Sequence, residues 1–310
     1  MMFEVRRYSA DDADCWNALV AQSKTGLFLF DRRFMDYHSD RFEDVSALVL
    51  RDGEPVAALP ASRHGDEAVS HGGLTFGGLI ARSDLRTPDV IDAFDKALEG
   101  LRDWGVRKLT IKSIPAPFTT QPSGELDYHL WRRGFVLAGR DVSSIVPLRD
   151  PLSPSKAKLR DSKRAAKLGC EVRDTSLADF HPLLAEVLLA RHGRDPVHSQ
   201  DELVQLQAAL PDRLLVRCAW LDGEPVAGTL LFRYGAVWHT QYLASNEAGR
   251  KANALDLVIA SAMAEAASEG ADWFSFGISM SGEELNEGLL WQKESFGART
   301  ILFDRWTGDL

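Results

Sequence analysis

The chain has 310 residues, 45% of them hydrophobic and 26% charged, with 36 basic side chains against 45 acidic ones and a formal net charge of −9. This usage excludes a disordered, collagen-like or fibrous chain, and the length suits about two domains. Net negative charge argues against broad coating of nucleic acid, although a local basic patch can still bind phosphate.

In chain order, Met1–Arg6 has neither a long apolar core nor a small-residue cleavage site. No signal peptide is expected, and no apolar stretch approaches the roughly 20 residues of a transmembrane helix. Cys15, Cys170 and Cys218 are scattered. They fit neither a disulfide framework nor a zinc site, and a cytoplasmic location is expected. The apolar run Ala47–Leu50 leads into Asp52-Gly53-Glu54-Pro55-Val56-Ala57, a hairpin signal between two strands. Ala68–His71 begins the next strand-like run and passes into the glycine-rich stretch Gly72–Leu79. Paired glycines in such a run mark a bulge or a close backbone approach, either for packing or for a substrate groove. It is not a phosphate-binding P-loop, because the Gly-Lys-Ser/Thr ending is missing. Residues 88–104 repeat apolar positions at helical spacing and stop at Gly105, and the strand Lys108–Ile111 comes next. Trp131–Phe135 leads into a last strand, and Pro147, Pro151 and Pro154 then punctuate the chain. The division expected from this is residues 1–150 and 151–310.

Residues 153–169 read as a capped helix with six basic residues against one acid between positions 156 and 167. Arg160, Lys163, Arg164 and Lys167 recur at spacings of three and four, on one side. This is either a solvated face or a docking face for an anionic substrate. His192 and His198 bracket a polar loop between two helices, which either lines a substrate site or is a plain connection.

The earlier order then recurs. Asp222–Ala227 repeats Asp52–Ala57 identically, Ala236–His239 parallels Ala68–His71, and a helical pattern over 251–268 ends at Gly270. The strand Trp273–Phe276 and the segment Trp291–Phe296 complete a second copy. Both halves read strand, hairpin, strand, helix, strand, helix, strand, which indicates internal duplication. Within this copy, Leu243–Leu255 reads as a strand end, a loop carrying Gly249, Arg250 and Lys251, and a long helix. Such a junction is either an ordinary turn or an anion site suited to a pyrophosphate, as in coenzyme A. His239 and Tyr242 share the preceding strand, as proton carriers or as structural groups. The eight histidines form no HExxH-like pair, so no metal is expected, and without a Gly-x-Ser-x-Gly elbow a hydrolase triad has no support.

Together these residues resemble the FemA/FemB/FemX-like (FemAB-type, BioF2-like) branch of the GNAT acyltransferase superfamily. The resemblance rests on the basic helix Leu159–Gly169, the segment His71–Leu79, Gly270–Gly277 with its Phe-Gly ending, and Lys293–Ala298. It covers nearly the whole chain and implies an α/β (α+β) fold of tandem duplicated GNAT-like domains. Each would be a mixed, mostly antiparallel sheet flanked by helices, with the donor site in the second. The implied reaction is acyl transfer from acyl-CoA, acetyl-CoA included, to a small-molecule or nucleotide-linked amine. An amino sugar or another cell-envelope or polysaccharide precursor is the implied acceptor. Two alternatives stand beside it, a FemX-like transferase using aminoacyl-tRNA and a non-catalytic binding protein of the same fold. The long helical hairpin of the FemA and FemB types is missing, as it is from FemX-type members. Gly249–Ala254 matches the GNAT pyrophosphate signature Arg/Gln-x-x-Gly-x-Gly/Ala only in part. The implied donor-binding set is Gly249, Arg250, Lys251, Ala252, Asn253 and Ala254. His239 or Tyr242 would move a proton, and Lys293 would stabilise charge near the leaving group. Arg160, Lys163, Arg164, His71, Gly72, Gly73 and His192 would meet the acceptor.

Overall fold

A computed structural model describes residues 2–39 and 41–310, without the side chains of His38 and His192. The chain forms two compact units: Met1–Asp141 with Leu302–Leu310, and Val142–Ile301.

The first unit runs β1 (Phe3–Arg7), α1 (Ala13–Gln22), α2 (Arg32–Met35), β2 (Glu43–Asp44), β3 (Ala47–Arg51), β4 (Glu54–Leu59), β5 (Ser62–His64), β6 (Glu67–Ser70), β7 (Ile80–Ala81), α3 (Thr87–Asp103), β8 (Lys108–Lys112) and α4 (Glu125–Arg132). It ends in the first half of β9 (Val136–Pro147). Strands β1, β3, β4 and β7 are neighbours in that order, and β8, β6, β5 and β2 form a second row. Helix α3 buries Val90, Ala93, Phe94, Ala97, Leu98 and Leu101 at helical spacing, against the apolar faces of β3 and β4.

The second unit continues from β9 through α5 (Lys156–Lys167), β10 (Glu171–Asp174), α6 (Leu177–His192), α7 (Gln200–Ala209), β11 (Leu214–Leu221), β12 (Glu224–Tyr234), β13 (Val237–Ser245), α8 (Glu247–Ala252), α9 (Ala254–Ser268) and β14 (Trp273–Ile278). The short hairpin β15 (Met280–Ser281) and β16 (Glu284–Leu285), helix α10 (Glu287–Glu294) and the start of β17 (Arg299–Asp309) complete it. Its strand order is β10, β11, β12, β13, β14, β9, antiparallel except for β13 with β14. Helix α9 lays Val258, Ile259, Ala262 and Ala266 into the core. Among the described residues no helix is long and apolar enough to cross a membrane.

The duplication is visible in backbone detail. Asp52 and Gly53 have φ of 54° and 85°, and Asp222 and Gly223 have 53° and 86°. Both central residues are left-handed, as the tight two-residue hairpin requires. The ladder slips between Val49 and Leu50 in one hairpin and between Ala219 and Trp220 in the other, so the bulge itself is repeated.

The units divide differently from the proline cue. The chain passes from the first unit to the second inside β9, between Asp141 and Val142, and returns inside β17, between Ile301 and Leu302. Ser143–Pro147 therefore pair with β14 of the second unit, while Arg305–Asp309 pair with β8 of the first. Each unit takes half of its last strand from the other sequence copy. The prolines at 147–154 mark only the end of β9.

Candidate acyl-donor cavity in the second unit

The parallel pair β13–β14 is short. It runs only from Val237–Trp273 to His239–Ser275, after which β13 stays with β12 as far as Ser245. Each strand carries one extra residue where its other ladder slips, Gln241 on β13 opposite Leu230–Leu231 and Phe276 on β14 opposite Ser144–Ile145, and these bulges turn the two strands apart. A cavity of about 370 Å³ opens where they part, roofed by residues of α5, α6, α8, α9 and α10. This volume falls within the range of small-molecule sites. Leu243, Ile259, Phe276 and Phe296 give it apolar wall, and Lys158, Arg191, Arg250 and Lys293 face it against one carboxylate, Asp256. Lys158 and Asp256 pair at 2.7 Å, and among the described residues no carboxylate pairs with Arg191, Arg250 or Lys293, so the cavity favours an anionic guest. On the same wall the Ser245 Oγ is buried and has no hydrogen-bond partner among the described residues. A ligand acceptor or donor would satisfy it.

The expected loop carrying Gly249, Arg250 and Lys251 is instead helical, as α8 from Glu247 to Ala252. Asn246 caps α8 by accepting from the Gly249 N–H at 2.9 Å, and Arg250 donates to the Ser245 carbonyl at 2.8 Å. Gly249 is required by close approach, since a Cβ there would lie 2.1 Å from the Val226 carbonyl oxygen. Asn253, at φ 60°, breaks the rod between α8 and α9. Of the expected donor-binding set, Gly249, Arg250 and Asn253 line the cavity. Lys251 instead points to solvent and pairs with Glu247, and Ala252 and Ala254 are packed in the core. The side-chain pattern of Asn246-Glu247-Ala248-Gly249 permits both loop and helix; the Asn246 cap decides for helix.

Of the three expected catalytic residues, only Lys293 lines the cavity. Its Nζ is buried and donates to the carbonyls of Gly277, at 2.9 Å, and Ile278. Neither acceptor is charged, so burial alone lowers its pKa to about 8. His239 lies behind it. Its Nδ1 meets the Ser275 Oγ at 2.9 Å, and burial together with the Lys293 charge lowers its pKa to about 4. At neutral pH His239 is therefore uncharged. Tyr242 projects elsewhere, with its hydroxyl 2.7 Å from His198 Nδ1, and burial raises its pKa. The expected acceptor residues are dispersed. Arg160, Lys163 and Arg164 lie on the outer side of α5, opposite Lys158. His71, Gly72 and Gly73 belong to the first unit, where His71 is buried. His192 ends α6, and its side chain lies outside the described residues. Sequence reasoning missed Lys158, Asp256, Arg191 and Ser245. Helical spacing does carry a signal for Lys158, which falls on the side of α5 away from Arg160 and Lys167.

The corresponding place in the first unit is closed. Strand β6 pairs in parallel with β8 from Glu67–Lys108 to Ser70–Ile111, and then the chain enters His71–Leu79. Gly77 packs on the Ser70 backbone so tightly that a Cβ would sit 1.7 Å from the Ser70 carbonyl oxygen. The Gly77 N–H donates to the Lys112 carbonyl, and the Gly78 N–H donates to the Ser70 Oγ. Among the described residues a cavity of about 20 Å³ remains beside this stretch, spanned by a largely buried ion pair between Lys24 and Glu125 at 2.5 Å.

Two GNAT-like units, each a mixed sheet flanked by helices, make this a tandem GNAT fold. Residues 155–284, most of the second unit, match the family described as Acetyltransferase (GNAT) domain. The whole chain is similar to the crystal structure of FemX, with 14% identity and a TM-score of 0.72, over 99% of this chain and 97% of that one. It is also similar to the C-terminal domain (DUF2156) of a putative lysylphosphatidylglycerol synthetase from Agrobacterium fabrum, at 13% identity and a TM-score of 0.63, covering 96% and 91% of the two chains. A tandem GNAT protein from the clavulanic acid biosynthesis pathway matches at 14% identity and a TM-score of 0.54, over 99% and 98%. The likeness to the FemAB-type branch thus holds at the level of fold. No curated protein matches the sequence.

Proposed function

We propose that the chain is an N-acyltransferase that takes its acyl group from acyl-CoA in the second-unit cavity and passes it to an amine. The observation that carries this reading is the cavity's charge, four cations against one carboxylate around an apolar wall. That combination suits a phosphate-bearing donor with a thin arm of methylene and amide groups. Acyl-CoA, when bound, supplies an acyl carbon already activated as a thioester. Arg191 and Arg250 would hold phosphate oxygens, and the Ser245 Oγ, buried and otherwise unpaired, would hydrogen-bond the arm. In the transfer a C–N bond forms as the C–S bond breaks, and the proton lost by the amine ends on the departing sulfur, so that coenzyme A leaves as the thiol. Lys293 supplies positive charge inside the cavity, locked by two carbonyls. His239, neutral at pH 7, props the Ser275–Gly277 bulge against which Lys293 is held. Most of the remaining acceleration is positional.

The fold likeness to FemX and to a lysylphosphatidylglycerol synthetase domain supports an amine acceptor from the cell envelope, an amino sugar or polysaccharide precursor among them. Thermal unfolding with acetyl-CoA and with coenzyme A tests the donor. Saturable stabilisation is expected, about 2.7 kcal/mol at a hundredfold excess over Kd. Absence of any shift at millimolar ligand contradicts an acyl-CoA donor and turns attention to aminoacyl-tRNA, the donor the FemX resemblance implies.

A further inference from the structure

Helix α5 has two chemically different sides. Its inner side carries Lys158, paired with Asp256, and the buried Ala165, and Ser162 donates to the Asp256 carbonyl. Its outer side carries Lys156, Arg160, Lys163, Arg164 and Lys167, all exposed within one strip. Arg160 pairs with the neighbouring Asp161, but among the described residues the other four have no carboxylate partner. The strip is about 16 Å long at the helical rise. The five cations and Leu159 line one open concavity along that length, more charge than one small anion can satisfy. An extended anionic surface can.

The apolar residue that lines the strip, Leu159, says which surface. Leu159 sits among the cations at 47% exposure, and Leu152 and Leu168, just outside the two ends of the helix, are 44% and 50% exposed. The Ser155 N–H at the start of α5 donates to the Ser295 carbonyl, which fastens the helix to the end of α10. The paired bases of an RNA duplex offer an exposed leucine no apolar contact, whereas a lipid headgroup region accepts it beside its charges. The chain as a whole is negative, so attraction to an anionic surface must be local to this strip.

We propose that the outer face of α5 docks the protein on an anionic lipid bilayer. The acyl-donor reading is not needed for this, because binding is read without catalysis. The test is co-sedimentation of the full chain with unilamellar vesicles of phosphatidylcholine alone and of phosphatidylcholine mixed with phosphatidylglycerol. Binding is expected only to the mixed vesicles and is expected to weaken as salt rises. Lys163→Gln/Lys167→Gln should lower the apparent affinity about 25-fold, roughly fivefold per charge. Both lysines are exposed, and an unchanged circular dichroism spectrum certifies the fold. Arg102→Gln/Arg107→Gln on the first unit should change nothing, and Leu159→Ser should weaken binding several-fold. No preference for phosphatidylglycerol, or equal losses in the two double variants, overturns the proposal. So does tighter binding of an RNA duplex at the same salt, which would assign the strip to nucleic acid.

Discussion

The two units share a hairpin down to the same bulge, yet one opens into a cavity of about 370 Å³ and the other closes to about 20 Å³. The difference lies in the chain just after the third strand of each copy. In the second unit β13 runs on to Ser245 and parts from β14, leaving the gap. In the first, His71–Leu79 folds into that place, with Gly77 seated on the Ser70 backbone. Each unit also buries a lysine there, with opposite chemistry. Lys24 is neutralised by Glu125, whereas Lys293 meets only carbonyls and keeps an uncompensated charge. Duplication of a frame therefore does not duplicate a site. One copy is free to become structural while the other retains the space and the charge that chemistry needs.

The largest effect that sharpens this contrast belongs to the closed unit. Lys24→Met strands the Glu125 carboxylate and should cost about 3–5 kcal/mol in denaturant unfolding, while Lys24→Met/Glu125→Met recovers most of it. Turnover per folded molecule should be unaffected in both. A loss of turnover with intact fold would place chemistry in the first unit and break the comparison.

Next in size is an acid limb of stability from the open unit. The folded-state pKa of His239 is about 4, below its ordinary 6.5. Between these values the unfolded chain binds the extra proton, so stability is full above about pH 6.5 and falls as pH drops towards 4. The loss is about 3 kcal/mol at most. Equilibrium unfolding of His239→Gln across that range should show a shallower pH dependence than wild type.

Lys293→Met should lower kcat by about 100-fold, in line with removal of one preorganised charge interaction. Its Tm should stay within a few degrees, since relief of a buried charge offsets two lost hydrogen bonds. In the wild type the rate should fall as pH rises through about 8, where Lys293 loses its proton, and Lys293→Arg should move that limb upward. The smallest contrast lies within α8. Arg250→Ala should weaken coenzyme A binding about tenfold, as loss of a charge-assisted hydrogen bond does. Lys251→Ala, at a solvent-facing pair with Glu247, should leave it unchanged.

Much of the frame was legible in the residues, because the repeated Asp-Gly hairpins and the helix periods at 88–104 and 251–268 are local signals. The exchange of strand halves at Asp141 and Ile301 was not, since β9 and β17 look continuous and only pairing reveals where each half belongs. Of the residues lining the cavity, Gly249 and Arg250 were legible from their place between a strand and a helix, and Lys293 only through the family resemblance. Tyr242 was misleading: strand alternation turns it away from Leu243 and towards His198, and one bulge at Leu230/Leu231 resets which side faces the cavity. Asp256 and Arg191 join the site only through tertiary packing, which no local pattern encodes.

The most direct test of the account is the stoichiometry of coenzyme A binding by isothermal titration calorimetry. One equivalent per chain, lost in a cavity-filling Leu289→Trp variant and retained in Lys24→Met/Glu125→Met, is the result expected of a duplicated fold with a single open donor site. Two equivalents, or binding that survives Leu289→Trp and disappears in the Lys24/Glu125 variant, would contradict it.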